Sequence, residues 1–315
     1  MSEPLFYDDY KRFRSYSGYL KERFGRKVYK VPLNAGFSCP NRDGTKGRGG
    51  CIYCSGALSG EFAGDPGESI RKQYEAVRSS LYKKWSGGAC IPYFQAGSNT
   101  YADTSALRAL YKAALSLPDA VGLSIATRAD CIDGEKADML AELAEGTYLT
   151  VELGLQTIHD KTAAAINRCH SYEDFLKGFE LLKSRGINVC VHIINGLPGE
   201  TEEMMRETAR AVGELGAHEI KIHMLHILRG TAAEELYRRG GWELMELEGY
   251  VSLVCDQIEL LPDSVLIGRL TGDGAKEELV APLWTRDKRR VLNGIDKELR
   301  RRNTYQGRAF SEVRS

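Results

Sequence analysis

Three cysteines in one glycine-rich loop are the residues whose spacing points most directly to chemistry. Cys39, Cys51 and Cys54 follow the first strand-like run with the spacing Cys-x11-Cys-x2-Cys. A structural zinc site needs four closed ligands, and the next cysteine or histidine, Cys90, lies inside a later strand-like run. Three thiolates suit a cubane iron–sulfur cluster whose fourth iron stays open to a small ligand. A zinc knuckle, or a thiol redox pair made of Cys51 and Cys54, is the alternative at this point.

Composition limits the classes of protein that need to be considered. A chain of 315 residues with 43% hydrophobic and 27% charged residues is ordinary for a globular protein, which excludes wholesale disorder. No run of about 18 apolar residues occurs, so we expect no membrane span. Without an apolar signal segment at its start, the chain is expected to be cytoplasmic, with reduced thiols. The remaining cysteines are interpreted as packing residues: Cys90, Cys131, Cys169, Cys190 and Cys255.

Apolar runs alternate with amphipathic ones along the first 225 residues. The apolar runs are nearly continuous, as in strands buried on both faces, and they span 27–34, 89–96, 120–126, 147–153, 187–194 and 218–225. Helical patterns lie between them, at 68–84, 104–116, 135–144, 172–184 and 200–215. The alternation predicts an α/β fold with a parallel sheet, either open or closed into a complete or partial barrel.

The pattern changes after residue 226. Helical stretches at 232–239 and 246–260 are followed by a short strand-like run at 265–270 and a basic tail. We therefore divide the chain into an N-terminal extension (1–26), a core domain (27–228) and a helix-rich C-terminal extension (229–315).

Both ends of the chain are basic, although the net charge of the whole chain is zero. Residues 11–30 carry a net charge of +7 and residues 286–308 a net charge of +6. Cations that neutralise phosphates and aromatic rings that stack unpaired bases are used together to bind single-stranded RNA loops. The alternative is an amphipathic helix whose rings pack on the core. The rings near the first basic segment are Tyr10, Phe13, Tyr16, Tyr19, Phe24 and Tyr29.

The cysteine loop resembles that of the radical S-adenosylmethionine (SAM) superfamily, in which three cysteines hold a [4Fe–4S] cluster and SAM chelates the fourth iron. The wide first gap is similar to the branch that contains the Elongator catalytic subunit, a tRNA-modifying enzyme. From about residue 28 to 300 the chain resembles the YhcC/YtqA-like family. The resemblance implies a partial (β/α)6 TIM-like barrel of the radical SAM type with an α-rich C-terminal extension. It also implies a [4Fe–4S] cluster and SAM as cofactors, with Cys39, Cys51 and Cys54 as the metal ligands.

Further matches lie where the later strands end, which is the edge of a parallel sheet that binds ligands. Tyr53 fills the aromatic position before the last cysteine, where the family contacts adenine. Residues 95–98 stand where the family usually has Gly-Gly-Glu, which holds the methionyl ammonium group, so Ser98 or carbonyl groups must accept those hydrogen bonds here. Arg168 corresponds to an arginine that is expected to fork onto the SAM carboxylate. The family has glycine where this chain has Cys169.

The other cofactor-binding residues implied by the resemblance form small groups. Glu152 and Gln156 lie on the same face of the fourth strand, because side chains alternate along a strand, and a carboxylate and an amide suit ribose hydroxyls. The full set of expected SAM contacts is Tyr53, Gln95, Gly97, Ser98, Thr127, Arg128, Asp130, Glu152, Gln156, Arg168, Asn195, Gly196 and Leu197.

The resemblance implies that SAM is cleaved to methionine and a 5′-deoxyadenosyl radical, which abstracts a hydrogen atom from the substrate. Lys221, His223 and His226 are candidates for contact with that substrate. The most specific substrate that the resemblance implies is a wobble-uridine side chain in tRNA, bound through the basic termini. A flavodoxin or ferredoxin is the expected electron donor. A small metabolite or peptide substrate, or a zinc-stapled RNA-binding protein without enzymatic activity, is the alternative.

We expect anaerobic reconstitution to load about four irons and four sulfides per chain, with broad absorption near about 400 nm. Replacing Cys39, Cys51 or Cys54 by Ala is expected to abolish this loading, because each thiolate holds one iron. The matched control, Cys255→Ala, is expected to retain it. A folded protein that holds one zinc ion and refuses iron under reducing conditions would contradict the cluster.

Overall fold

Seven parallel strands form the central sheet of the computed structural model, which describes residues 7, 10–84, 87–272, 274 and 276–312. The seven pair in the order β1-β2-β3-β4-β5-β6-β8, and β7 and β9 form a small antiparallel ribbon beside them. The strands are β1 (Val28–Leu33), β2 (Ala89–Phe94), β3 (Gly122–Thr127), β4 (Tyr148–Gln156), β5 (Asn188–Asn195), β6 (Glu219–Met224), β7 (Ile227–Leu228), β8 (Leu266–Arg269) and β9 (Leu279–Ala281).

Helices cover the outer face of the sheet and one of its ends. Their starts follow ordinary capping chemistry: Asp103, for example, accepts hydrogen bonds from two backbone amides at the start of α3. The helices are α1 (Tyr16–Phe24), α2 (Ile70–Lys84), α3 (Thr104–Leu115), α4 (Gly134–Ala144), α5 (Asp160–Ala165), α6 (Tyr172–Lys183), α7 (Glu202–Glu214), α8 (Ala232–Arg238), α9 (Leu247–Glu259), α10 (Lys288–Arg301) and α11 (Arg308–Glu312).

The alternating α/β pattern expected from the sequence is confirmed, with one strand more than the six expected. The seventh, β8, pairs in parallel with β6 and comes from the segment that we assigned to the C-terminal extension. The extension therefore completes the sheet, and the boundary at residue 228 does not separate two independent units.

The sheet curls into a half-barrel. Contacts between side chains of distant strands across its interior demonstrate this curl. Lys30 on β1 reaches Glu152 on β4, three strands away in the sheet, and its Nζ atom lies 3.9 Å from Glu219 on β6. Alternate residues of β4 point the other way: Leu153 and Leu155 are fully buried in the apolar layer beneath the helices. One face of each strand therefore builds the core, and the other lines a polar interior.

The N-terminal helix closes the bottom of the half-barrel, at the amino ends of the strands. Backbone pairing begins just before α1, where the amide of Ile267 on β8 donates to the carbonyl of Arg14 over 2.8 Å. Tyr16 and Leu20 then pack in one buried cluster with Tyr148, at the start of β4, and with the first residue of β8. The helix thus bridges the two free edges of the sheet, since it also contacts β1.

This packing corrects the RNA-stacking interpretation of the N-terminal aromatic residues. Phe13, Tyr16 and Tyr29 are buried, and Tyr19 and Phe24 pack against the cluster at the barrel bottom. The amphipathic-helix alternative therefore describes this segment. Tyr10 is the ring of the set that stays exposed, at 82%.

We expect Leu20→Ala to lower the free energy of unfolding by roughly 2–5 kcal/mol, the usual cost of truncating a buried leucine. The substitution removes packing from the cluster that seals the barrel. Urea unfolding of the metal-free protein measures the change. The control Leu283→Ala, at a position that is 59% exposed, is expected to change stability by less than about 0.5 kcal/mol. Equal effects of the two substitutions would contradict the sealing role of α1.

Candidate active site

One cavity of about 710 Å³ fills the inside of the half-barrel. Its volume is in the range of small-molecule sites, roughly 300–1,000 Å³. Cys39, Cys51 and Cys54 lie at its upper end, where the strands end. Tyr16 and Leu20 of α1 line it from below. The cysteine loop and the barrel interior therefore belong to a single site.

Side-chain hydrogen bonds hold the cysteine loop together and join it to the turn after α5. Asn41 donates its amide to the carbonyl of Asn167, and Asn167 in turn donates to the carbonyl of Gly50 over 2.8 Å. Arg42 donates to the carbonyl of Cys54 over 2.8 Å. These bonds fix a loop whose glycines would otherwise leave it mobile.

The arrangement of the three thiols argues against both alternatives that the sequence left open. A tetrahedral zinc site, with Zn–S bonds of about 2.3 Å, brings its sulfur atoms within about 4 Å of one another. Among the described residues, the three cysteines do not form a set with all ligand atoms within 4.8 Å. Burial raises the pKa of Cys51, and it raises the pKa of Cys54 to about 11, whereas a reactive redox thiol needs a lowered pKa. Three thiols that are not gathered around one point fit a cubane cluster better than a single zinc ion.

Three residues near the upper rim adopt the left-handed backbone conformation that favours glycine. They are Gln156, Asn167 and Cys169, with φ angles of 62°, 54° and 58°. This conformation explains why glycine is the usual residue at the position of Cys169. Here the Cys169 thiol donates to Asn167 over 3.3 Å. Strain of this kind is typical of functional sites.

Arg168 is held more tightly than the sequence predicted. It is 1% exposed, and its Nε and Nη1 atoms donate to the carbonyls of His170, Leu155 and Thr157. Two of the three nitrogens expected to fork onto a SAM carboxylate are bound to backbone carbonyls in this structure. Nη2 is buried without a hydrogen-bond partner and lies 3.6 Å from Asp160, so this nitrogen can still donate to a ligand.

Glu152 is the centre of a buried network instead of a ribose ligand. Its carboxylate accepts from Tyr93 over 2.9 Å and from Ser124 over 2.8 Å, and His192 lies 2.8 Å away. Lys30 and Lys221 both form ion pairs with it at 2.5 Å. Five partners occupy all of its lone pairs, so it has none left for a sugar hydroxyl. The lysine charges hold the pKa of Glu152 well below its usual range against the cost of burial.

The remaining expected cofactor residues divide into two groups. Some do not present a side chain to the cavity: Asp130 pairs with Arg128 and Lys46, and Asn195 exchanges two amide hydrogen bonds with Gln257. Gly196 and Leu197 are likewise absent from the lining, and Leu197 packs in an apolar cluster. The other group lines the cavity: Tyr53, Gln95, Gly97, Ser98, Thr127, Arg128, Gln156 and Arg168.

Gly97 shows why residues 95–98 pass so close to the cysteine loop. Its φ angle is 78°, and a Cβ atom there would lie 2.2 Å from the carbonyl oxygen of Phe37. The amide of Ser98 donates to the carbonyl of Ser38, next to Cys39. Only glycine permits this approach.

The candidate substrate contacts Lys221, His223 and His226 line the same cavity. Four further residues that line this cavity were not predicted from the sequence: Lys30, Tyr93, His192 and Glu219. The sequence pattern that could have identified them is the alternation of inward and outward side chains along β1, β2, β5 and β6, which places each of these four residues on the inward face of the sheet. Glu152, Cys190 and His192 lie close enough to hold a metal ion, but the two lysines on Glu152 already neutralise that carboxylate.

Comparisons with known proteins identify the relatives of this chain. The model of the radical SAM superfamily matches residues 42–212, and that of the radical SAM C-terminal domain matches residues 217–301. Bacillus subtilis YtqA is 47% identical over 96% of this chain and 94% of its own length. A Methanocaldococcus jannaschii tRNA uridine(34) acetyltransferase is 28% identical over 49% of this chain and 28% of its length. The structure of Methanocaldococcus infernus Elp3 superimposes with a TM-score of 0.69 and 19% identity, over 89% of this chain and 64% of that one.

A half-barrel of this topology, with a three-cysteine loop above its cavity, is the architecture of radical SAM enzymes, and the chain belongs to the radical SAM superfamily. Within it, the expected relation to YhcC/YtqA-like proteins is confirmed. The superfamily uses a [4Fe–4S] cluster and SAM, so the expected cofactors are also confirmed. Within the described residues, no helix has the length and apolar character needed to cross a membrane.

Acid is expected to destabilise the protein between about pH 6.5 and pH 4, because buried histidines must stay neutral in the folded state. Burial lowers the pKa of His170, His192, His218 and His226 to about 4. Below the unfolded pKa of about 6.5 the unfolded chain binds protons that the folded chain does not, so stability present above that pH is lost as the pH falls.

The substitution His192→Gln tests this linkage. It is expected to reduce the pH-dependent loss of unfolding free energy by about 1.4 kcal/mol per pH unit, which corresponds to one proton. Urea unfolding of the metal-free protein at several pH values measures the slope. His218→Gln, at the other end of the barrel, is expected to reduce the slope by a similar amount. An unchanged slope in both variants would contradict the assignment.

Proposed function

We propose that this protein is a radical SAM enzyme that modifies the side chain of a wobble uridine in tRNA. The observation that carries the proposal is the position of the three-cysteine loop above a 710 Å³ cavity with a polar interior. When bound, the [4Fe–4S] cluster supplies the electron that cleaves SAM to methionine and a 5′-deoxyadenosyl radical, which abstracts hydrogen from the substrate.

The roles of the residues around the cluster follow from their contacts. Cys39, Cys51 and Cys54 would each hold one iron, and the hydrogen bonds of Asn41 and Arg42 fix the loop that carries these thiols. The free Nη2 of Arg168 donates one hydrogen bond to the SAM carboxylate. Further SAM contacts come from the cavity lining at Tyr53, Gln95, Gly97, Ser98, Thr127, Arg128 and Gln156.

Helix α1 shields the lower end of the cavity from water and oxygen. The electron for the reaction comes from a separate donor protein. Superfamily members need an electron donor, and we assign this role to a flavodoxin or ferredoxin. The protein is assigned to the cytoplasm, where such donors and reduced thiols are found together.

Two observations support tRNA as the substrate. Half of the chain is similar to a protein named tRNA uridine(34) acetyltransferase. The start of α10 also carries adjacent exposed arginines, Arg289 and Arg290, beside Lys288. Burial, and after it the charge of Lys288, lowers the pKa of His226, which lines the cavity.

The other basic residues lie elsewhere. Lys21, Arg23, Arg26 and Lys27 are exposed around α1, at the amino ends of the strands and thus away from the cysteine loop. Arg302 is bound to Glu298 on α10 and to Asp256 and Ser252 on α9. We therefore assign RNA docking to the start of α10 and not to the two termini together.

Turnover with defined tRNA tests the proposal. Reconstituted enzyme with dithionite and SAM is incubated with bulk tRNA from a strain in which its own gene is deleted. We expect this tRNA to raise the rate of 5′-deoxyadenosine formation and to gain a mass change at one wobble uridine. Bulk tRNA from the wild-type strain, already modified, is the matched control. Equal rates with both tRNA pools would reject tRNA as the substrate and leave a small metabolite or peptide.

Salt dependence tests the binding surface. Affinity for tRNA is expected to fall steeply between about 50 and 200 mM salt. Arg289→Gln with Arg290→Gln is expected to flatten the slope of log affinity against log salt by about 2, because two phosphate contacts are lost. The control pair Lys297→Gln and Arg300→Gln, nearer the other end of α10, is expected to leave it unchanged. Equal effects of both pairs would contradict docking at the start of α10.

A further inference from the structure

One wall of the cavity is made of cations and imidazoles. His192 on β5, Lys221 and His223 on β6 and Arg269 on β8 line it together, and His226 follows directly after β6. The rings of His192 and His223 lie 5.3 Å apart. Strand pairing sets Lys221 beside His192 on one side and Arg269 on the other. The wall is therefore continuous across three neighbouring strands.

Among the described residues that line this wall, the cations Lys30, Lys221 and Arg269 outnumber the carboxylates Glu152 and Glu219. Lys30 and Lys221 share one carboxylate, that of Glu152. The next acid, Glu219, is 3.9 Å from Lys30, and burial raises the pKa of its carboxyl group. Arg269 lines the same wall. A cavity lined in this way favours a ligand that carries negative charge.

Two imidazole nitrogens in the wall have no hydrogen-bond partner among the described residues. They are the Nε2 atoms of His223 and His226, both buried. Gly272 and Gly274 lie against the His226 ring, and a Cβ atom at either position would come within 3 Å of it. Glycine thus leaves room for this ring, and buried polar atoms without partners are typical of positions that a ligand completes.

We propose that this wall binds an anionic group of the substrate, a carboxylate or a phosphate. The inference rests on the proposed function, because it assigns one chemical feature to the substrate of the radical reaction. Lys221 and Arg269 supply the charge, and His223 and His226 supply directional hydrogen bonds. Because the same cavity holds the cysteine loop, an anion fixed here positions the neighbouring part of the substrate beneath SAM.

Anion binding at this wall is coupled to protons. Burial, together with the charges of His192, Arg269, Lys221 and His226, lowers the pKa of His223. An anion at the wall reverses the effect of the cations and favours the protonated imidazole. Affinity for the anion is therefore expected to be higher at about pH 6 than at about pH 8.

Calorimetric titration of the reconstituted, SAM-bound enzyme tests the proposal. The probes are acetate for a carboxylate and inorganic phosphate for a phosphate, and the stronger of the two identifies the class. The variants are His223→Leu and, as a second line should that protein fail to fold, Arg269→Gln. We expect each to weaken anion binding by about tenfold or more, as the loss of a charge-assisted hydrogen bond does. The control is His159→Leu, outside the cavity lining, which is expected to bind the anion as the wild type does.

Three outcomes overturn the inference: neither anion binds the wild type, the variants bind it as well as the wild type, or they lose SAM affinity to the same extent. The last outcome would mean that these residues bind SAM and not the substrate. Iron content and SAM cleavage of the wild type are measured alongside. A failure of the radical chemistry is thereby distinguished from a failure of the anion site.

Discussion

The buried carboxylate of Glu152 is the interaction on which the barrel interior depends. The Glu152 side chain is only 1% exposed, and burying its charge is costly. The carboxylate remains ionised only because Lys30, on a strand to one side of β4, and Lys221, on a strand to the other side, both pair with it on the inner face of the sheet. These contacts join β1, β4 and β6, which are not neighbours in the sheet order. The curl of the half-barrel and the ionisation of its central acid are therefore one property, since opening the sheet would leave an unpaired charge in the interior.

The cysteine loop depends on a second set of contacts, at the carboxyl ends of the strands. Asn41 in the loop donates to the carbonyl of Asn167 in the turn after α5, and the side chain of Asn167 donates to the carbonyl of Gly50 in the loop. Arg128 donates to the carbonyl of Arg168 in the same turn. The two arginines therefore act first on the backbone of the site, and only the remaining donor of Arg168 is left for a ligand. A polar group at an active site often positions others before it contacts the substrate.

The sequence predicted the strands and helices of the core because continuous apolar runs and amphipathic runs have different periods. The sequence also predicted the three cysteines as one site, because they lie close together in a single loop. It failed for Arg168, whose carbonyl partners depend on how the chain turns after β4, and for Glu152, whose partners come from five other strands. A lone lysine such as Lys30 within an apolar run carries no local sign of the acid that it meets across the barrel. Tertiary contacts of this kind cannot be read from periodicity.

The seal at the barrel bottom joins segments that lie at opposite ends of the polypeptide. The amide of Arg14 donates to the side chain of Gln306, whose own amide donates to the carbonyl of Arg12, while Ile267 pairs with Arg14. During synthesis on the ribosome, the cysteine loop emerges about 250 residues before Gln306 does. The contacts that close the barrel from below therefore cannot be complete until nearly the whole chain has left the ribosome.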